Sequence, residues 1–219
     1  MSKVFIGVGH GGSDPGAVAN NTKEKDLNLQ IALACKDYLS QYGVEVKMSR
    51  TKDENDTLSD EIKECNAFSP DLAVDIHNNA GGGDGAEVFH HYGGGIGKSL
   101  ATNILDEITK LGQNSRGAKT RKNAAGRDYY GFIREIFAPA VIVECAFVDN
   151  ATDLEILATE GKRKSMGQAI AKGILKTLGI EIQGDRLYRV QVGAYSDKSN
   201  AEAMLKRLKA AGFTGYIKE

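Results

Sequence analysis

Four short apolar runs, VFIGV at 4–8, VEVKM at 44–48, LAVDI at 72–76 and VIV at 141–143, alternate with longer stretches of helical period. Runs this short, bounded by glycine, proline or charge, form strands, whereas apolar residues three and four apart form helices. Leu27, Ile31, Ala34 and Tyr38 define a helix over 24–41. Leu58, Ile62 and Asn66 define a second, which the Ser69–Pro70 pair ends. Leu100, Ile104, Ile108 and Leu111 mark a helix over 96–111, and Asn150 caps another through Leu157. A final helix spans 166–178, and a further strand lies at 86–92. The predicted fold class is therefore α/β: a mostly parallel, twisted sheet flanked by helices. Such sheets gather ligands at the carboxyl ends of their strands. The first, third and fourth runs deliver His10, His77 and Glu144 there.

The 219 residues have room for one main domain, predicted over 1–180, and a small appendage. Residues 181–186 read as a polar linker. Residues 187–219 then read as one small β-α-β unit, with strands at 188–192 and 214–218 around a helix at 201–211. Between the helix over 96–111 and the strand over 141–143, residues 112–130 have no apolar period and are rich in glycine and basic residues. They read as a surface loop walling a substrate site.

A net charge of −1 and no basic stripe with interleaved aromatics argue against nucleic acid as partner. No stretch approaches the length needed to span a bilayer, and the amino terminus lacks a signal-peptide pattern, so synthesis in the cytoplasm is expected. Cys35, Cys65 and Cys145 lack CxxC spacing and read as small buried apolar residues.

Gly7, Gly9 and Gly12 satisfy G-x-G-x-x-G after a strand, but the following helix does not open until Glu24, and Asp14 would repel a phosphate. Zinc suits the residues better. A catalytic zinc takes three ligands from histidine and carboxylate and keeps one position open. His10, Glu24 and His77 would supply them from three elements, with Glu144 as the base. Each residue also has a simpler reading. His10 could bond within its own loop, Glu24 could favour a helix start, His77 could cap a strand, and Glu144 could pair with Arg50 or Arg134. The residues alone leave these readings level. His90 and His91, adjacent in a strand, read as surface or substrate-wall residues, at most one facing the site. Neither a G-x-S-x-G elbow nor a nucleophilic cysteine context is present.

In order, GHGGSDPGA, KEKDLNLQIA, SRTKDE, DIHNNA and PAVIVECAFVDNATDLEIL resemble the zinc-dependent N-acetylmuramoyl-L-alanine amidases of the Amidase_3 type, over about residues 3–178. The resemblance implies a peptidoglycan hydrolase that cuts the amide between N-acetylmuramic acid and L-alanine of the stem peptide. It places His10, Glu24 and His77 on the zinc ligands and Glu144 on the catalytic glutamate. Asp75 stands where a small hydroxyl residue is usual, and Cys145 where an aliphatic is common. A zinc peptidase acting within the stem peptide and a non-catalytic wall-binding protein are the alternatives. The tail, RVQVGAYSDKSNAEAMLKRLKAAGFTGYIKE, resembles one repeat of the SPOR domain, which binds wall glycan in a form with two repeats. Pairing of two chains through their tails is the corresponding expectation, as a homodimer. The resemblance also implies action at the cell wall after release, as a phage endolysin or a sporulation amidase that lyses the mother cell.

Overall fold

The computed structural model describes residues 1–182, 191–213 and 215–217. It divides into two compact units, Met1–Ile182 and Gln183–Glu219.

The first unit is built on a six-stranded sheet. Its strands are β1 (Lys3–Val8), β4 (Glu45–Met48), β5 (Leu72–Asn79), β6 (Ala86–His90), β7 (Ser115–Lys119) and β8 (Ala140–Phe147), in the spatial order β4-β1-β5-β8-β6-β7. The first four in that order run parallel, as the alternation with helices predicts. β6 is antiparallel to β8, and β7 follows β6. β7 corrects the sequence reading of 112–130 as an irregular loop. Its five residues, SRGAK, carry no apolar alternation because they form a sheet edge whose outer side meets water. The strand expected over 141–143 is also longer, which puts Glu144 within β8 rather than beyond it.

One face of the sheet is covered completely. Helices α1 (Glu24–Ser40), α3 (Gly95–Thr109) and α6 (Glu160–Thr177) lie against Val4, Ile6, Val8, Val74, Ile76, Val88, Val141, Val143 and Cys145. The opposite face carries the intervening residues of the same strands. There α2 (Leu58–Phe68) and α4 (Gly131–Glu135) cover Phe5, Ala73, Phe89 and Ile142. Further along, the same face bears Asp75, His77, Glu87 and Glu144. The cover thus stops where the residues turn polar.

The helices start and stop as their sequences direct. Thr57 caps α2 by accepting from Asp60 N, and Asn150 caps α5 (Ala151–Leu157) by accepting from Thr152 N and Asp153 N. Ser69 ends α2 in a left-handed conformation just before Pro70. The three cysteines are free and buried, as expected.

In the second unit α7 (Lys198–Ala210) matches the expected helix closely. Residues 183–186 of the linker, 188–190 of the first expected tail strand, and Thr214 and Lys218 of the second lie outside the described residues. Gln191, Val192 and 215–217 belong to no strand. No helix among the described residues is long and apolar enough to cross a membrane.

Candidate metal centre

His10 lies just past β1, with φ at +62°. A non-glycine residue in this region carries about 1–3 kcal/mol of backbone strain, tolerated where the surroundings over-determine it. Buried Arg50 provides much of that determination. Its guanidinium donates to Val8 O (3.1 Å), Gly9 O (3.3 Å) and, at the start of α1, Lys25 O (2.9 Å). Lys25 ties the loop from the other side, through Gly12 O and Asp53.

The chain then returns through a small hairpin, β2 (Val18–Ala19) and β3 (Thr22–Lys23). Its two turn residues, Asn20 and Asn21, both have positive φ, as a tight primed turn requires. Glu24 emerges as the first residue of α1, buried beneath the His10 loop. Its Oε2 accepts from Ala17 N (2.9 Å), and its Oε1 from Asn78 N (3.1 Å) and Asn28 Nδ2 (3.3 Å).

His77 rises from β5 beside them. Its Nδ1 lies 3.0 Å from Glu24 Oε1, and His10 Nε2 lies 3.2 Å from Glu24 Oε2. The two imidazoles meet edge to face with centroids 5.1 Å apart. This approach needs Gly9, where a Cβ would collide with the His77 ring, and Gly16, where one would collide with both Glu24 and His10. One donor atom from each of His10, Glu24 and His77 lies within 4.8 Å of the others.

Both rings are held from behind by carboxylates. His10 Nδ1 meets Asp14 Oδ2 at 2.8 Å, and His77 Nε2 meets Asp75 Oδ2 at 3.1 Å. Each ring therefore turns its other nitrogen toward Glu24. This is the outer support that metal-ligating histidines generally receive. The spacings also suit the ion. Ligands about 2.0 Å from a tetrahedral zinc stand about 3.3 Å apart, close to the two donor distances to Glu24.

Glu144 stands in register with His77 on the neighbouring strand. Neither Arg50 nor Arg134 pairs with it; Arg134 instead holds Asp128 O, Tyr129 O and Glu135. The Oε2 of Glu144 is buried without a hydrogen-bond partner, as is Oδ1 of Asp75. Buried carboxylates are seldom left so. Burial pushes the Glu144 carboxyl up to about 7; the charge of His77 opposes this, and Glu24, Asp75 and Glu87 add to it. At Glu24 burial acts upward too, but the hydrogen bonds from His10 and His77 outweigh it and hold the carboxyl far below its ordinary range. Burial disfavours a charged His77, yet Asp75 and Glu24 raise its pKa well above the usual value. Such a crowd of carboxylates around two imidazoles calls for a cation, and the donor set of His10, Glu24 and His77 and its spacing fit zinc.

The arrangement places the chain among known proteins. The family model described as N-acetylmuramoyl-L-alanine amidase, Amidase_3, matches residues 4–176, and that described as SPOR domain matches 164–219. The chain belongs to the Amidase_3 family. Its activity is that of an N-acetylmuramoyl-L-alanine amidase. It is 35% identical to N-acetylmuramoyl-L-alanine amidase CwlM of Bacillus licheniformis over 99% of this chain and 85% of that protein. It is 34% identical to the sporulation-specific N-acetylmuramoyl-L-alanine amidase of Bacillus subtilis (strain 168) over 99% of this chain and 84% of that one. The structure of Cwp6 from Clostridium difficile matches with a TM-score of 0.80 at 38% identity, over 81% of this chain and 29% of that one.

All four residues singled out from the sequence meet in one place in this amidase domain. Sequence reasoning missed Asp14, Asn28, Arg50 and Asn78, which position them. Asp14 alone had a local signal, four residues after His10 in a tight loop. His90 and His91 stand apart from the site. Contrary to expectation His90 is buried, on the helix-covered face of β6 with its ring against His91 O, while His91 pairs with Asp128 at 3.0 Å.

Proposed function

We propose that the chain hydrolyses the amide joining the lactyl group of N-acetylmuramic acid to L-alanine, with zinc held by His10 Nε2, Glu24 and His77 Nδ1, and with Glu144 as general base. The observation that carries this reading is the buried, unpartnered Oε2 of Glu144, on the strand beside His77 and in register with it, next to a His-Glu-His group whose rings are already oriented. When bound, the zinc supplies Lewis-acid chemistry, acidifying water and polarising the carbonyl. Asp14 and Asp75 hold the two imidazoles in the tautomers that present Nε2 of His10 and Nδ1 of His77. Glu144 takes the proton of the attacking water and returns it to the departing alanine nitrogen. A carboxyl near 7 suits both transfers at neutral pH.

The competing reading is a zinc peptidase that cuts within the stem peptide. Purified peptidoglycan is digested and the newly exposed amino termini are identified. The amidase reading predicts L-alanine alone. A different new terminus, with no alanine, overturns it in favour of the peptidase.

A further inference from the structure

Beyond Glu144, the same row of the sheet continues to a second charged group. Glu87 on β6 is the register partner of Glu144 on β8 and points to the same face. Its carboxylate is buried, with 7% of the side chain exposed. It accepts from three donors: Asn79 Nδ2 (3.1 Å), Arg116 Nε (2.7 Å) and Lys119 Nζ. Arg116 and Lys119 both come from the edge strand β7.

One carboxylate needs one counter-charge. Here it has two, so the trio of Glu87, Arg116 and Lys119 carries a formal charge of +1, on strands neighbouring the one that bears Glu144. The cations keep 37% and 34% of their side chains exposed, whereas Glu87 is covered. Arg116 is also braced over the Phe147 ring, 5.0 Å from its centroid, and its Nη1 reaches Asp84 O. The Asp84 carboxylate is turned to Asn114 Nδ2 (2.8 Å). Arg116 and Lys119 are thus pre-positioned rather than free-swinging, a state in which a guanidinium or ammonium binds an oxyanion at low entropic cost.

We propose that Arg116 and Lys119, set by Glu87, form a subsite for a carboxylate of the leaving stem peptide. The location suits this. Glu87 lies one strand spacing, about 4.8 Å, from Glu144, and the cations come from the next strand. Two spacings match the reach of about three extended residues, so the group recognised sits close to the new amino terminus. The subsite rests on the amidase reading for the identity of that terminus, but its preference for an anion does not.

The test compares two muropeptides that differ only in whether the carboxylate of the second stem residue is free or amidated. Rates and new amino termini are measured with the zinc-loaded wild type, Lys119→Gln and Arg116→Lys. The free acid is expected to be cleaved with a kcat/KM about tenfold or more above the amide, chiefly through KM, as befits a charged hydrogen bond. Lys119→Gln is expected to bring the two substrates within about twofold of each other, and Arg116→Lys to retain part of the preference. Equal cleavage of both substrates by the wild type, with alanine exposed, overturns the subsite and leaves the amidase reading intact. A carboxylate preference accompanied by a different new terminus supports the subsite and overturns the bond assignment instead. The wild-type comparison needs no variant to fold.

Discussion

The two faces of β5 and β8 divide the molecule's work. On one, Val74, Ile76, Val141, Val143 and Cys145 are wholly buried beneath α1, α3 and α6. On the other, Ala73 and Ile142 lie under α2 and α4, but Asp75, His77 and Glu144 emerge where that cover ends. Adjacent residues of one strand therefore serve opposite ends, one set for cohesion and one for chemistry. The separation is possible because strand side chains alternate strictly. It also means that neighbouring substitutions should have separable consequences.

The largest effect should come from the chemical face. Glu144→Gln is expected to lower turnover on peptidoglycan by about 10²–10⁴-fold, the usual worth of a positioned general base. Its melting temperature should hold or rise, because a strained buried charge is removed. Rates on soluble muropeptides and a thermal scan read the two effects separately. On the opposite face, Ile76→Ala, next to His77 in sequence, should cost about 2–5 kcal/mol of stability in denaturant titration. The rate per folded molecule should stay at the wild-type level. A rate loss larger than the unfolded fraction would show that the two faces are coupled.

Asp75→Ala probes the boundary between them. It leaves the ligand atoms in place but frees the His77 ring, so zinc affinity should fall about 10–100-fold, read by competition with a chromophoric chelator. Unchanged affinity would mean that packing alone orients the ring. The smallest effect belongs to the helical layer. Burial pushes Glu107 on α3 upward, but hydrogen bonds from Lys110 and from Lys176 on α6 outweigh it and hold the carboxyl below its ordinary range. Its folded pKa thus lies below the unfolded one. The stabilisation, about 1 kcal/mol, is complete above the unfolded value near 4.3 and is lost as pH falls through the folded value. Glu107→Gln should flatten that acid limb in pH-dependent denaturation and leave the rate per folded molecule unchanged.

Much of this was legible in the sequence, because apolar runs and helical periods reflect burial directly. The runs ending near His10, His77 and Glu144 brought three candidate residues to one end of the sheet, whereas Glu24, which a helix start alone would explain, was a candidate ligand only in combination with them. What the sequence hid has physical causes. The edge strand β7 has one partner and a wet outer side, so SRGAK shows no alternation. The split between the faces of β8 is masked because Val141, Ile142 and Val143 are all apolar, yet only two of them point to the helices. Arg50 gave no sign of its role, since it binds backbone carbonyls rather than a charged partner. Asp75 was visible as a departure from the family pattern, but its bond to His77 depends on strand geometry.

The central claim is that His10, Glu24 and His77 hold the metal while Glu144, one strand away, acts on the substrate without holding it. Bound zinc per chain, measured after equilibration with the free ion and removal of excess, tests this most directly for wild type, His77→Ala and Glu144→Gln. The account predicts one ion per chain in the wild type and in Glu144→Gln, and almost none in His77→Ala. Zinc retained by His77→Ala, or lost from Glu144→Gln, would contradict it.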